Sequence, residues 1–140
     1  MPEGLDLHHV KSLLDGPAPA VLATHRKDGS LKLSPVWFRH AGDYFEVVIA
    51  DEGVKLKHIT RDPRVTLLIF ESTPSFRGVQ VSDEAEITRD ALDETRRSIT
   101  SRYLDEQVSK TFTESRKGNG AVLRIPVRSA KTWDLAAIAT

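Results

Sequence analysis

Apolar positions along the chain change spacing several times, and each change marks an element. In "LDLHHVKSLLDG", Leu7, Val10, Leu13 and Leu14 recur at helical intervals and Gly16-Pro17 ends the run, which predicts a short amphipathic helix. Three β-prone runs follow, "PAVLATHR", "LKLSPVWFRH" and "YFEVVIA", separated by the Gly-containing turns "KDGS" and "AGD"; the order predicts an antiparallel meander. From Asp51 to Asp62 the apolar residues are Val54, Leu56 and Ile59, and Pro63 forbids continuation, so a short helix is expected there. "RVTLLIF" is an unbroken apolar run of the kind found in strands buried on both faces. In "FRGVQVSDEAEIT" apolar Val79, Val81, Ala85 and Ile87 alternate with polar residues, and Asp83 interrupts the frame, where a bulge or bend is expected. Leu92, Ile99 and Tyr103 share a helical stripe, "DEQVSKTFTESRKG" extends the helical signal to Gly118, and "GAVLRIPVRSAKTWDL" reads as the last strand.

Six strands in meander order with three or four helices favour a closed or split antiparallel barrel with helices at its margins over a parallel α/β sheet. The fold class expected is therefore mainly β, with some α+β character. The 140 residues suit one domain, spanning positions 1–140, and no repeat or low-complexity linker divides them.

Composition narrows the function. Twenty Lys and Arg balance twenty Asp and Glu, so the chain lacks the basic excess of many nucleic-acid binders, and any anion must be held locally. The absence of cysteine excludes disulfides, a thiolate nucleophile and sulfur-ligated zinc. His8, His9, His25, His40 and His58 form no H-x-x-x-H or H-E-x-x-H pair, so no metal site is expected. No apolar run reaches the ~20 residues of a membrane span, and the N-terminus lacks the order of a signal peptide; a cytoplasmic location without membrane or nucleic-acid partners is the expectation.

Autonomous catalytic groups are missing. There is no G-x-S-x-G, and Ser34 precedes a proline within a predicted strand. Asp51, Glu52, Glu84 and Glu86 read better as caps and solvated strand faces than as a glycosidase pair. When a small barrel lacks catalytic groups of its own, a bound cofactor often brings the chemistry, which is the expectation here.

Two segments are candidates for holding one. "GVKLKHITRDPRV" gathers Lys55, Lys57, His58, Arg61 and Arg64. At ~100° per residue Lys55 and Lys57 point about 160° apart in a helix, so they converge only if Lys55 sits in the loop or first turn. Gly53 permits close backbone approach, whereas Asp51-Glu52 could cap the helix instead. The cluster reads either as a phosphate site or as a solvated helix face with ordinary ion pairs. In "LKLSPVWF", Lys32, Ser34, Val36 and Phe38 share one strand face, and Leu31, Leu33, Pro35 and Trp37 the other. Pro35 removes a ladder donor and marks an edge or irregular strand, so the first face could line a ligand, while Trp37 alone favours a core position. Trp133, Phe76 and Arg77 gain interest only if a second subunit brings them over the cluster.

Taken together, the D-G-x-x-x-x-S-P-V-W-F and K-x-K-H-I-x-R-D-P-R-V segments, the long alternating strand and the terminal "TWD" resemble the pyridoxamine 5'-phosphate oxidase-like split-barrel superfamily, and within it the small deazaflavin-dependent reductases that use coenzyme F-420. The resemblance implies a six-stranded split β-barrel forming a homodimer with cofactor sites at the interface. It places the cofactor phosphate at Lys55 and Lys57, the ring along Lys32, Ser34, Pro35, Val36 and Trp37 above Ile49 and Ala50, and Phe76 and Arg77 around the ring. It makes the R-D-P-R turn structural, and His58 a departure from the usual asparagine. The implied activity is hydride transfer from F-420 to a conjugated organic substrate, with no proton donor nominated. Alternatives are an FMN-dependent pyridoxamine 5'-phosphate oxidase-like enzyme and a module that binds flavin, deazaflavin or haem without turnover. Lys32, Lys27 and Arg26 favour the anionic tail of F-420.

Overall fold

The computed structural model describes residues 7–135. Its first elements are a 3-10 turn at Leu7–Val10 and the helix α1, Lys11–Asp15, which bury Val10, Leu13 and Leu14 as the apolar spacing predicts; Leu5 and Asp6 of the expected helix lie outside the described residues. The strands are β1 (Ala20–His25), β2 (Leu31–Val36), β3 (Arg39–Ala41), β4 (Tyr44–Ile49), β5 (Arg64–Phe70), β6 (Gly78–Glu84), β7 (Glu86–Thr88), β8 (Ala121–Pro126) and β9 (Lys131–Trp133). They build two antiparallel sheets, one in the order β2-β1-β5-β6-β9 and one in the order β3-β4-β8-β7. The six longer strands are those expected, and the three short ones are pieces that change sheet. Leu22, Leu67, Ile69, Val79 and Val81 from the first sheet meet Phe45, Val47, Leu123 and Ile125 from the second in the fully buried core of a split barrel.

Several expectations from the sequence are corrected by where the chain changes sheet. "LKLSPVWFRH" is two strands, because Trp37 and Phe38 leave the first sheet before Arg39 enters the second. "FRGVQVSDEAEIT" divides at Ala85 and not at Asp83: Asp83 stays paired opposite Val65 and accepts from Arg128 Nε at 2.9 Å, whereas buried Ala85 donates its N–H to the Pro63 carbonyl at 2.8 Å. "RVTLLIF" buries only Val65, Leu67 and Ile69; Thr66, Leu68 and Phe70 are half-buried, since the described residues cover that face only in part. The last strand also divides, at the turn in which Ala130 donates to the Val127 carbonyl.

Helices fill the margins. The helix α2, Lys55–Arg61, is shorter than the expected Asp51–Asp62 and packs on β1 through buried Ile59. The predicted stripe ending at Tyr103 is interrupted: α3 (Leu92–Thr100) stops before it, and α4 (Glu106–Ser115) starts afresh with Asp105 capping the Val108 N–H at 2.9 Å.

The change of sheet at Phe38 leaves a backbone N–H and C=O without ladder partners, and the turn after α3 supplies both. The Tyr103 hydroxyl accepts the Phe38 N–H (3.4 Å) and donates to the Ala18 carbonyl (2.9 Å). Arg102 donates to the Phe38 and Leu14 carbonyls at 2.6 Å each and to that of Gly16, with its guanidinium carbon 4.8 Å from the Phe38 ring centroid. Replacing Arg102 with Met keeps apolar volume and removes every donor, so the Phe38 and Leu14 carbonyls lose the Arg102 bond and that of Gly16 keeps only the Ala18 N–H. Urea denaturation of Arg102→Met is expected to report a loss of about 3 kcal/mol; a loss below ~0.5 kcal/mol, the size of an ordinary surface change, would contradict this account.

Candidate functional site

A cleft of about 560 Å³ opens where the ends of β2 and β4, the start of α2 and the α3–α4 pair meet. One wall carries Pro35, Val36, Trp37, Ile49, Ala50 and Lys55, and the other carries Arg96, Ile99, Thr100, Tyr103, Phe112 and Arg116. Trp37 stacks on Tyr103 with ring centroids 5.3 Å apart and planes 14° from parallel, and meets Phe112 at 5.5 Å and 51°. Three cations and no carboxylate line the cleft, in a chain whose charges balance overall.

The walls are held by a polar joint. Gly120, at φ +110°, brings β8 so close to β4 that a Cβ there would lie 2.3 Å from the Ile49 carbonyl oxygen, so no other residue fits without moving that strand end. Next to it the Asn119 side chain accepts the Asp51 N–H (2.9 Å) and donates to Glu52 Oε1 (2.7 Å), which fixes the loop leading to Lys55. Arg89 bonds both Asp51 (3.0 Å) and the Gly120 carbonyl (2.6 Å). Asp51 and Glu52 are therefore engaged with β8's approach, and neither caps α2, whose N-cap Val54 makes no side-chain bond. Gly53, at φ +105°, makes the turn between them. Arg96, only 4% exposed, donates to the carbonyls of Arg116 (2.9 Å) and Asn119.

The residues nominated from sequence divide among three places. Pro35, Val36, Trp37, Ile49, Ala50 and Lys55 line the cleft together. Lys32 and Ser34 lie on the face of β2 that also carries Val36; Ser34 is buried, and its Oγ has no hydrogen-bond partner. Phe38, placed with them by periodicity, lies past the end of β2 in the core. Lys57 is exposed on α2 and is not among the residues lining the cleft, the divergence that helical geometry predicts for Lys55 and Lys57. Phe76 and Arg77 lie in a second, smaller cleft beside Phe70 and Trp133, where Arg77 pairs with Glu71 at 2.7 Å. Within one chain they do not meet the first cleft.

The remaining cations of the cluster have fixed tasks. Arg61 donates to the His25 carbonyl, and Arg64 binds both Asp62 oxygens (3.0 and 2.7 Å), holding that carboxyl far below the usual carboxylate range. His58 Nδ1 lies 3.1 Å from the hydroxyl of buried Thr24; burial first, then the charges of Arg61, Arg26 and Lys32, lower its pKa. Sequence reasoning missed Arg96, Asn119, Phe112, Arg116 and the role of Tyr103, all supplied by the helical insert. Its charge pattern reads as an exposed surface, and only the buried Arg96 and the aromatics among polar residues could have signalled otherwise.

The sequence profile of pyridoxamine 5'-phosphate oxidase matches residues 7–134. The chain belongs to that family. No curated protein matches it. Among solved structures it is similar to a conserved hypothetical protein from Mycobacterium tuberculosis (TM-score 0.81, 22% identity, 98% of this chain and 89% of that one). It is similar also to an F-420 reductase (TM-score 0.69, 24% identity, 90% and 94%) and to a FAD-binding protein from Mesorhizobium loti (TM-score 0.65, 17% identity, 94% and 96%). At these identities the likeness is one of fold.

The cleft residues of this family member fit a planar tricyclic cofactor bearing a phosphate. Apolar and aromatic side chains face the opening, and Lys55 makes no ion pair among the described residues; beneath the lining, buried Ser34 next to Pro35 has a hydroxyl without a partner.

The lowered pKa of His58 has a pH signature. An unfolded imidazole takes up a proton near pH 6.5, whereas the folded one resists it, so the folded state loses stability as pH falls through and below that value. The urea midpoint of the wild type is expected to fall relative to that of His58→Asn between pH 7.5 and 5.5; parallel curves would mean that His58 is as free in the fold as in the unfolded chain.

Proposed function

We propose that this protein is an oxidoreductase that holds coenzyme F-420 in the cleft and reduces a conjugated organic acceptor. The observation that carries the reading is Lys55, a cation with no ion pair among the described residues, lining an aromatic and apolar cleft built at the end of β2. When bound in its reduced state, F-420 supplies a hydride to the acceptor, which is completed by one proton from water.

The chain's own residues would bind, orient and shield. Lys55 answers the phosphate, with Lys57 one turn face away on the same short helix. Pro35, Val36 and Trp37 support the ring along β2, and Ile49 and Ala50 lie at its edge. The α3–α4 wall would cover the ring and restrict solvent to the cleft's mouth, from which the completing proton comes. Tyr103 is not the proton donor in this scheme: its hydroxyl already donates to the Ala18 carbonyl, and burial raises its pKa.

F-420 is preferred over FMN because the basic surface continues past Lys55. Arg26, Lys32 and Arg61 all lie near enough to act on His58, so positive charge extends along α2 and the β1–β2 hairpin, a path suited to the oligoglutamate tail. Arg26 is partly engaged in its turn, bonding the Leu31 carbonyl at 2.8 Å. The family name and the FAD-binding relative support FMN as the second reading.

Parallel fluorescence titrations with F-420 and FMN test the choice. F-420 is expected to bind more tightly, and Lys55→Ala, Lys57→Ala to weaken it at least tenfold, the order expected for lost charge-assisted hydrogen bonds, with an unchanged circular dichroism spectrum. Preference for FMN moves the protein to the flavin reading; lysine-independent binding removes the phosphate assignment.

A homodimer completes the proposal. β2 is an edge strand, and its outer face presents Leu31 (49% exposed), Leu33 (65% exposed) and Pro35, an apolar row that a second copy would cover. Sedimentation is expected to give a dimer for the wild type and a monomer for Leu33→Glu. A monomeric wild type would separate the site from any second subunit.

A further inference from the structure

We propose that the α3–α4 wall of the cleft is the acceptor's binding site and that it takes a planar conjugated carboxylic acid, with Arg116 holding the carboxylate. This deepens the reading above by naming the acceptor's class, and it rests on the coenzyme lying along β2.

Across the cleft from β2 stands the α3–α4 wall, which meets Trp37 at Tyr103 and Phe112 and is the surface this chain offers to an acceptor lying over a ring on β2. That wall offers little hydrogen bonding to the body of a ligand. The Thr100 hydroxyl is engaged with Ser109 Oγ at 2.7 Å, and the Tyr103 hydroxyl with Ala18 and Phe38. What remains is the ring of Phe112 and the side chain of Ile99 beside Trp37. A sugar or another polyhydroxylated acceptor would leave its own polar groups unpaired there, whereas a flat conjugated body would not.

Charge sets the other requirement. Of the three cations in the lining, Arg96 is spent on backbone carbonyls and Lys55 stands on the coenzyme's wall. Arg116 is left. Its guanidinium carbon sits 3.7 Å from the Phe112 ring centroid, and the only hydrogen bond its side chain makes among the described residues is to Ser115 Oγ at 2.9 Å. Glu52, already bonded by Asn119, is near enough to feel the Arg116 charge without pairing with it. Stacking occupies the face of the guanidinium and leaves most of its N–H edge free, the arrangement that grips a carboxylate with two parallel bonds. A basic residue at the end of α4 also suits the helix dipole, but Lys117 could serve that purpose from outside the cleft; the stack on Phe112 is what brings Arg116 into the lining.

A carboxylate at Arg116 could come from the acceptor or from the glutamates of the F-420 tail, and the test separates them. Cofactor-free protein is titrated calorimetrically with 2-naphthoate and with 2-naphthamide, a matched planar pair differing in charge. The wild type is expected to bind the acid at least tenfold more tightly than the amide, the order of a charge-assisted hydrogen bond. Arg116→Ala should erase that preference and leave the amide unchanged, and Phe112→Leu should weaken both. Affinity for F-420 should be the same in Arg116→Ala and wild type. Absence of binding by either probe, or an acid preference that survives in Arg116→Ala, overturns the proposal; a loss of F-420 affinity that grows with tail length assigns Arg116 to the coenzyme instead. The calorimetry contains no coenzyme, so its failure is separable from failure of the F-420 titration.

Discussion

A strand that leaves one sheet for another must give up ladder partners, and burial makes that costly unless something replaces them. At Phe38 the replacements come from two consecutive residues of the turn after α3: Tyr103 serves the N–H and Arg102 the carbonyl. The same two side chains reach Leu14, Gly16 and Ala18, so the N-terminal segment, the strand crossing and the helical insert share one hydrogen-bonded node. Without it, β2 and β3 would have no fixed angle between them. The cleft lies at that angle, with Trp37 on one side of the crossing and Tyr103 stacked against it.

The arginines around the cleft show how one side-chain type can close a structure or leave it reactive. Arg96 and Arg102 direct their forks at backbone carbonyls and have little left for a ligand. Arg116 and Lys55 make no ion pair among the described residues and border the opening. The carbonyl-bound pair stabilises because a guanidinium can satisfy several carbonyls at once, while a cation without an ion pair beside apolar walls raises the local potential that draws an anion. The cleft's charge thus comes from a few residues, of which Lys55 and Arg116 make no ion pair among the described residues.

Much of this was legible from periodicity. The β-prone run "AVLATH", the alternation in "VQVS" and the turns "KDGS" and "AGD" are short-range signals, and the long strands follow them. The places where the chain changes sheet were not legible, because Trp37 and Ala85 are ordinary strand residues whose departure depends on distant partners such as Tyr103 and Pro63. In the cleft, the strand side could be nominated from the run around Pro35 and from Lys55. The helical side could not, since Arg96, Asn119 and Arg116 sit in a polar stretch whose pattern is that of any solvated helix, and their burial or stacking appears only once α3 and α4 fold back over β4.

β2 carries a separate demand on each side. On one face Ser34 is buried and Val36 lines the cleft; on the other, Leu31, Leu33 and Pro35 form the exposed apolar row, Pro35 also bordering the cleft at the strand's end. Because strand side chains alternate, a shift of one residue in the β1–β2 hairpin would exchange the two sets wholesale. The turn from Arg26 to Ser30 therefore has a length that cannot drift by a single insertion or deletion, although its surface is open to solvent. Variation in this turn should be fixed in count, and in letter at Gly29, whose φ of +87° favours glycine.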